Sequence, residues 1–528
     1  MFSQIKKKAS LYELYVILFS VFWVGFIGID YINKHPVYYE SIIHFKYYKL
    51  LGFLILYGCF FSWFLSTKNK SVSSWSKLLF IPFVGLSFFT ILFSMALAYS
   101  KYYFIPLTSA DYIQFLSNSG IVSLSGIFVL LSLYSLGSVV AEKFLIKKVF
   151  LKSNVIIDLT IGLMLFTFLL IPLAALHLLY VFVLLPILIL FFVVRYKYWA
   201  ELFKNIRSLA PNYSALQFGI LFLALLFAAL NFAYILSAYP LGFDSRNYYV
   251  NLSLLIAENH GFVKGFQPHN WELFTAASKV LTGKNELILF MSYAAGLVSA
   301  WATYHLARWF KIDQTWSLIT ALLLLSTPAV SHQMYIELKV DLSLLFLQIS
   351  TLLIYLKYER LKKGDDHNPW HFIILLGLLF GFGLGIKLLH FFLIYGIFCT
   401  ISYHKNNKAL LFATSLLGLG LVLILQLDDH TGLRSFHPNA DIIGYALTSL
   451  GLITLAYSGY KDFSMSKKTY ISLAAITLIT LITFSPWVYK SYREAPSSSI
   501  LQLIRGNSPG HVIDLNEMRQ LYNSTQGK

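Results

Sequence analysis

Apolar stretches of about eighteen residues or more, broken by short polar and basic loops, recur from one end of the chain to the other. A run of that length, wound as a helix, reaches across the roughly 30 Å of a bilayer's hydrocarbon core. Runs of this kind place spans at 11–29, 49–66, 78–99, 121–140, 154–172, 178–194, 215–238, 287–306, 315–331, 341–357, 371–386, 388–403, 408–426, 440–458 and 470–489, about fifteen in all. The pattern predicts an all-α polytopic membrane protein. Backbone groups in lipid have no water to bond, and a helix satisfies them within its own segment.

One polar interval departs from this rhythm. Between the spans 215–238 and 287–306 lie two amphipathic segments too short to cross a bilayer. The first, 247–258, sets Asn247, Asn251 and Glu258 on one side of a helix, and the second, 270–281, gathers Leu273, Phe274, Ala277, Val280 and Leu281 on one stripe. Both predict helices lying in the membrane interface. Asp244, just ahead of them, falls where a span meets water.

Charge and composition sharpen this picture. Of the 528 residues, 57% are hydrophobic and only 12% charged, about half the charged share of a soluble domain. The net charge of +17 is carried largely by short loops. With the amino terminus inside, behind Lys6-Lys7-Lys8, the clusters Lys143/Lys147/Lys148/Lys152, Arg195/Lys197/Lys204/Arg207, Lys357/Arg360/Lys362/Lys363 and Lys461/Lys467/Lys468 all fall on the inner side. On that count Asp244 and the tail after Lys490 face outward. No basic stripe with interleaved aromatics stands out, so no nucleic-acid partner is expected. Cys59 and Cys399 both lie in apolar runs and read as small core residues. Three parts follow: an amino-terminal block of about six spans over 1–210, a membrane core over 211–490 with the acidic outer loop 239–286, and a short outer tail over 491–528.

Charges at membrane depth are costly and mark function by default. Asp244 is the first candidate, against the plainer reading of a helix cap. Glu337 and Asp341, four residues apart, share one helix face at the outer start of a span, where acids also suit the helix dipole. Lys387 follows Gly377, Gly381 and Gly385. The glycines suit close helix packing, and Lys387 either snorkels to the interface or holds a phosphate as a point charge. Lys490 and Arg493, behind Pro486-Trp487, defy the sidedness of the other basic residues. The spacing of Asp428, Asp429, His430 and His437 could suit a metal, but a solvated loop is the simpler reading, and no metal or other cofactor is expected.

Taken in order, these features resemble the GT-C superfamily of integral-membrane glycosyltransferases, which use polyprenyl-phosphate sugars and include protein mannosyltransferases and lipid A aminoarabinose transferases. Tyr239-Pro240 to Tyr248, with Asp244, is similar to the family's acidic motif in the first outer loop of its core. Gly261-Phe262 and Gln267-Pro268-His269-Asn270-Trp271-Glu272 look like the loop of bacterial members. Asp341 matches a second acid at the outer start of a later span, and Gly381 to Lys387 a glycine-rich span ending in Lys. Ser485 to Arg493, with Gly506-Asn507-Ser508-Pro509, is similar to a late Pro-Trp followed by a basic residue. The resemblance covers residues 215–510. Two departures stand out: Ser245 replaces the second acid often seen beside the first, and six spans precede the core where the family more usually has one.

The resemblance implies a GT-C-like core, Asp244 as general base and inversion at the anomeric carbon. Asp341, with Glu337, would orient the acceptor or the base. Lys387 and Arg493 would stabilise the leaving phosphate, with Lys490, Arg246 and Lys339 behind them. Tyr248, Tyr249 and Trp271 would contact sugar or lipid. The partners implied are a polyprenyl-phosphate-linked sugar donor, an acceptor hydroxyl on a lipid, glycan or protein, and membrane lipid. The site would lie on the periplasmic or outer face of a bacterial inner membrane. Three other classes remain open at this point: a transporter or flippase of lipid-linked sugars, an oligosaccharide polymerase or ligase, and a non-catalytic assembly subunit.

Overall fold

The computed structural model describes residues 109–142, 155–196, 199, 249–263, 269–335, 339–361, 369–404, 407–427 and 439–494, with single positions between 217 and 235 and between 499 and 504. The described residues are helical, with no strand among them. The helices are α1 (Ser109–Val140), α2 (Val155–Ala175), α3 (Val181–Val193), α4 (Val250–Glu258), α5 (Asn270–Thr282), α6 (Glu286–Trp309), α7 (Gln314–Ser326), α8 (Pro328–Tyr335), α9 (Asp341–Leu361), α10 (Pro369–Leu384), α11 (Phe391–His404), α12 (Lys408–Ile424) and α13 (Ala440–Glu494). A 3₁₀ turn, Leu388–His390, links α10 to α11.

Six described stretches are long and apolar enough to cross a membrane: Ser117–Val140, Val155–Ala175, Glu286–Trp309, Asp341–Glu359, Ala440–Tyr460 and Lys467–Glu494. Shorter apolar helices lie between them. The spans expected at 11–29, 49–66 and 78–99 lie outside the described residues, as does most of 215–238. Only 17% of the best window in Ala440–Tyr460 is buried. Ile442, Leu450, Leu452 and Ile453 stand on its open surface, which an aqueous setting would penalise and lipid would not.

Several boundaries differ from those the apolar pattern predicts. The run 315–331 is broken at Thr327 into α7 and α8. Thr327 is extended (ψ 125°), as a residue before proline prefers, and Pro328 opens α8. The run 388–403 opens with the 3₁₀ turn before α11 begins. The runs 440–458 and 470–489, expected to be joined by a loop, belong to one 55-residue helix, α13. That helix cannot be straight. Ser458 Oγ and Tyr470 Oη are 2.6 Å apart, whereas twelve residues of straight helix span about 18 Å. The chain therefore doubles back between them, so two antiparallel spans arise without a conventional loop.

The second expected interfacial helix also differs. In α5 every residue from Asn270 to Ser278 is buried, not only the apolar stripe. Neighbouring helices enclose it: Phe274 meets Phe166 of α2 edge to face at 6.4 Å, and Asn270 is fastened to the end of α10. By contrast α4 leaves Glu258 exposed and Asn251 half-buried, as its pattern predicts.

One core joins α1 and α2 to the later helices. Gly137 and Gly162 let α1 and α2 run backbone to backbone, since a Cβ on Gly137 would lie 1.7 Å from the Asp158 carbonyl oxygen. Phe168 of α2 meets Phe382 of α10 at 5.7 Å.

Six polar links between distant segments fall into two groups. In one, His177 Nδ1 lies 3.1 Å from the Asn259 carbonyl, Lys284 donates to Asn118 at 2.5 Å, and Lys387 pairs with Asp341 at 2.5 Å. In the other, Arg195 donates to Ser138 at 2.9 Å, Gln217 to Thr315 at 3.0 Å, and Ser458 to Asn407 at 3.3 Å. An alternating path through a membrane puts both members of every pair on one side. The direction of α10 agrees with it: Gly377 meets Ile479 and Gly381 meets Thr483, so α10 runs parallel to the second half of α13.

Candidate functional site

The site forms where α5, α9, α10 and α13 meet, and its frame is one asparagine. Like any helix, α10 leaves its last carbonyls without helical partners. Asn270 supplies two donors from outside. Its backbone N–H reaches the Gly385 carbonyl at 2.9 Å and its side-chain Nδ2 the Phe382 carbonyl at 2.9 Å. Its Oδ1 accepts from Trp487 Nε1 of α13 at 3.1 Å. Gly385 makes the approach possible, because a Cβ there would lie 2.1 Å from Asn270 Nδ2. Trp487 is 1% exposed, and its ring meets Phe262 and His269, each at 5.6 Å. Two stretches that the sequence separates by more than two hundred residues, His269-Asn270 and Pro486-Trp487, are thus held together.

Lys387 follows this joint by two residues. It is extended (φ −160°, ψ 137°), opens the 3₁₀ turn, and its carbonyl accepts from the His390 N–H at 3.0 Å. Its Nζ pairs with Asp341 Oδ1 at 2.5 Å, the two side chains being 27% and 28% exposed. Gln333 Nε2 stands 3.5 Å from Asp341 Oδ2, too far for a firm hydrogen bond. Asp341 is the first residue of α9, where a carboxylate suits the helix dipole. Ser299 Oγ, midway along α6, donates to the Leu342 carbonyl at 3.2 Å. The pair is therefore recessed beside the middle of α6 and not perched at its Glu286 end.

Glu272, in the first turn of α5, is 3% exposed, and its Oε2 has no hydrogen-bond partner. Burial pushes its carboxyl up to about 8; a bond to its own backbone and the Lys387 charge pull the other way. Nearby His390 is wholly buried against Phe380, with neither ring nitrogen hydrogen-bonded.

The residues singled out from the sequence are distributed as follows. Asp341 and Lys387 touch. Trp271 turns away from them, 5% exposed and 5.2 Å from Phe274, lining a small apolar cavity with Leu130, Leu133 and Met291. Lys490 pairs with Glu494 at 2.6 Å along α13. Arg493 is exposed and rotated by about 120° from the Trp487 face that packs on α10. Tyr249 packs against the core at the start of α4. Asp244, Arg246, Tyr248 and Glu337 lie outside the described residues, as do Asp428, Asp429, His430 and His437. Among the described residues no group of three His, Cys, Asp or Glu could hold a metal.

Asn270 and Glu272, quoted from the sequence only as part of the stretch 267–272, and His390 are the site residues to which sequence reasoning gave no role. Glu272 reads in sequence as an ordinary acid in a helix's first turn, and only its burial makes it unusual.

Comparison with protein-family models, with curated proteins and with solved structures finds no match for this chain.

Proposed function

We propose that this protein is an inverting glycosyltransferase of the membrane, moving a sugar from a polyprenyl-phosphate donor to an acceptor hydroxyl at the outer face of a bacterial inner membrane. The reading takes the full chain to have about fifteen spans and a GT-C-like core. The observation that carries it is the Asp341–Lys387 pair, a recessed but partly open cation and carboxylate drawn from separate helices.

The chemistry asks for those groups. As the acceptor oxygen attacks the anomeric carbon, the bond from that carbon to the phosphate oxygen breaks, and its electron pair leaves with polyprenyl phosphate. Negative charge gathers on the phosphate, and a fixed ammonium nearby stabilises it most in the transition state. Lys387 takes that role, exchanging Asp341 for the phosphate. Asp341, so released, orients the acceptor hydroxyl. Asp244 accepts the hydroxyl proton as general base. Arg493 is no longer favoured as a phosphate ligand, because its face of α13 is not the one packed on α10.

The test is turnover of a donor labelled in the sugar, with the purified full chain in lipid. Free polyprenyl phosphate is expected to accumulate, and Asp244→Asn to abolish its release while leaving the thermal transition in place. Undiminished release by Asp244→Asn removes Asp244 as the base. Movement of intact donor across the vesicle membrane, without cleavage, replaces the transferase with a transporter.

A further inference from the structure

We propose that Lys387 is shared between two carboxyl groups, so that Asp341 and Glu272 form a proton-linked switch. In the state described here Lys387 is bound to Asp341, and Glu272 is shut off with one oxygen unpartnered. A carboxylate so buried, bonded to its own backbone but with Oε2 unpartnered, is costly, so Glu272 carries its proton in this state. In the second state Lys387 pairs with Glu272, which has released that proton to solvent, and Asp341 is free.

The geometry supplies both ends of the exchange. Asn270 bonds Gly385 directly, and Glu272 and Lys387 each stand two residues beyond their end of that contact. Among the described residues, Lys387 is the charged side chain whose field acts on Glu272. The other charges on elements packed around α5 are engaged elsewhere. Glu258 of α4 and Glu286 at the start of α6 face Lys279 at the far end of α5. Asp158 of α2 acts on Lys357 of α9, Arg195 beyond α3 holds Glu142, and Lys490 of α13 holds Glu494. His390 is turned against Phe380. In the exchange, Asp341 influences Glu272 by how firmly it holds Lys387.

That dependence separates a switch from a fixed cluster, and it holds whether or not the protein transfers sugar. The measurement is infrared titration of the full chain in lipid nanodiscs, following the carbonyl stretch of a protonated carboxylic acid that Glu272→Gln removes. In the wild type this band is expected to titrate near pH 8. Asp341→Asn frees Lys387 for Glu272 and is expected to lower the midpoint by a pH unit or more, about tenfold in proton affinity. In the Lys387→Met background the same Asp341→Asn change is expected to leave the midpoint where it is. Such a cycle isolates the coupling between two sites. An equal downward shift with and without Lys387 means that Asp341 acts directly through space, and overturns the exchange. Absence of a band sensitive to Glu272→Gln in the wild type overturns it as well.

Discussion

At the residue scale, Glu272 makes the fold answerable to pH. Its carboxyl is held at about 8 in the folded chain against an ordinary 4.5. Between those values the unfolded chain has lost the proton that the folded chain keeps. Stability is thus greatest below the lower value and declines as pH rises toward the upper one, by roughly 1.4 kcal/mol per pH unit at most. Above it the loss is complete and the slope ends. Glu272→Gln keeps the shape without the charge, and is expected to flatten this profile. Thermal denaturation at pH 5 and pH 8 checks it: the fall in melting temperature from pH 5 to pH 8 should be smaller in the variant than in the wild type. Asn270 is as particular. Aspartate there keeps an acceptor for Trp487 but loses the donor to the Phe382 carbonyl, setting a carboxylate against it, so Asn270→Asp is expected to destabilise by about 1–3 kcal/mol. Little of this was legible in the sequence, which marks Asn270 and Glu272 only as members of the stretch 267–272 and gives neither a role. The importance of Asn270 comes from what lands on it from α10 and α13, contacts across more than a hundred residues, and that of Glu272 from its burial.

At the scale of elements, hydrophobic runs predicted the helices well and the breaks between them poorly. The runs behind α2, α6, α9 and α12 carry the helices expected of them because lipid and core ask the same thing of a long apolar segment. The doubled-back α13 escaped notice because the polar stretch between its apolar halves reads as a loop, whereas the backbone stays helical through it. The buried α5 escaped notice for the reverse reason. Its stripe is that of a surface helix, but its hydroxyls are satisfied inside: Thr275 Oγ1 lies 2.8 Å from Ser253 Oγ, and Ser278 donates to the Phe274 carbonyl at 3.2 Å. The joint of α5, α10 and α13 gives a sharp test. Gly385→Ala puts a methyl group where Asn270 stands, so it is expected to lower the thermal midpoint at a cost of about 1–3 kcal/mol. Gly396→Ala, at a helical site with open space, should not lower it.

At the scale of the whole molecule, the account rests on sidedness and convergence. The basic loops predict a sidedness, and the six polar links described above are compatible with it. It predicts the labelling of single cysteines introduced into a chain lacking Cys59 and Cys399. Positions Gly283 and Asn439, both exposed, should react with a membrane-impermeant maleimide from one side only. Lys311 and Lys467, also exposed, should react only from the other. Convergence was legible in part: Asp341 and Lys387 were singled out from the sequence and do meet, whereas Arg493 was singled out and faces elsewhere. A sequence pattern records which end of a span a residue occupies, but not the rotation of that span about its axis. The most direct measurement of the central claim is release of polyprenyl phosphate from a labelled polyprenyl-phosphate sugar by the purified protein and by Lys387→Met. The account predicts release by the wild type and a fall of at least about a hundredfold in the variant, with its thermal transition retained. Release by Lys387→Met at the wild-type rate would contradict it.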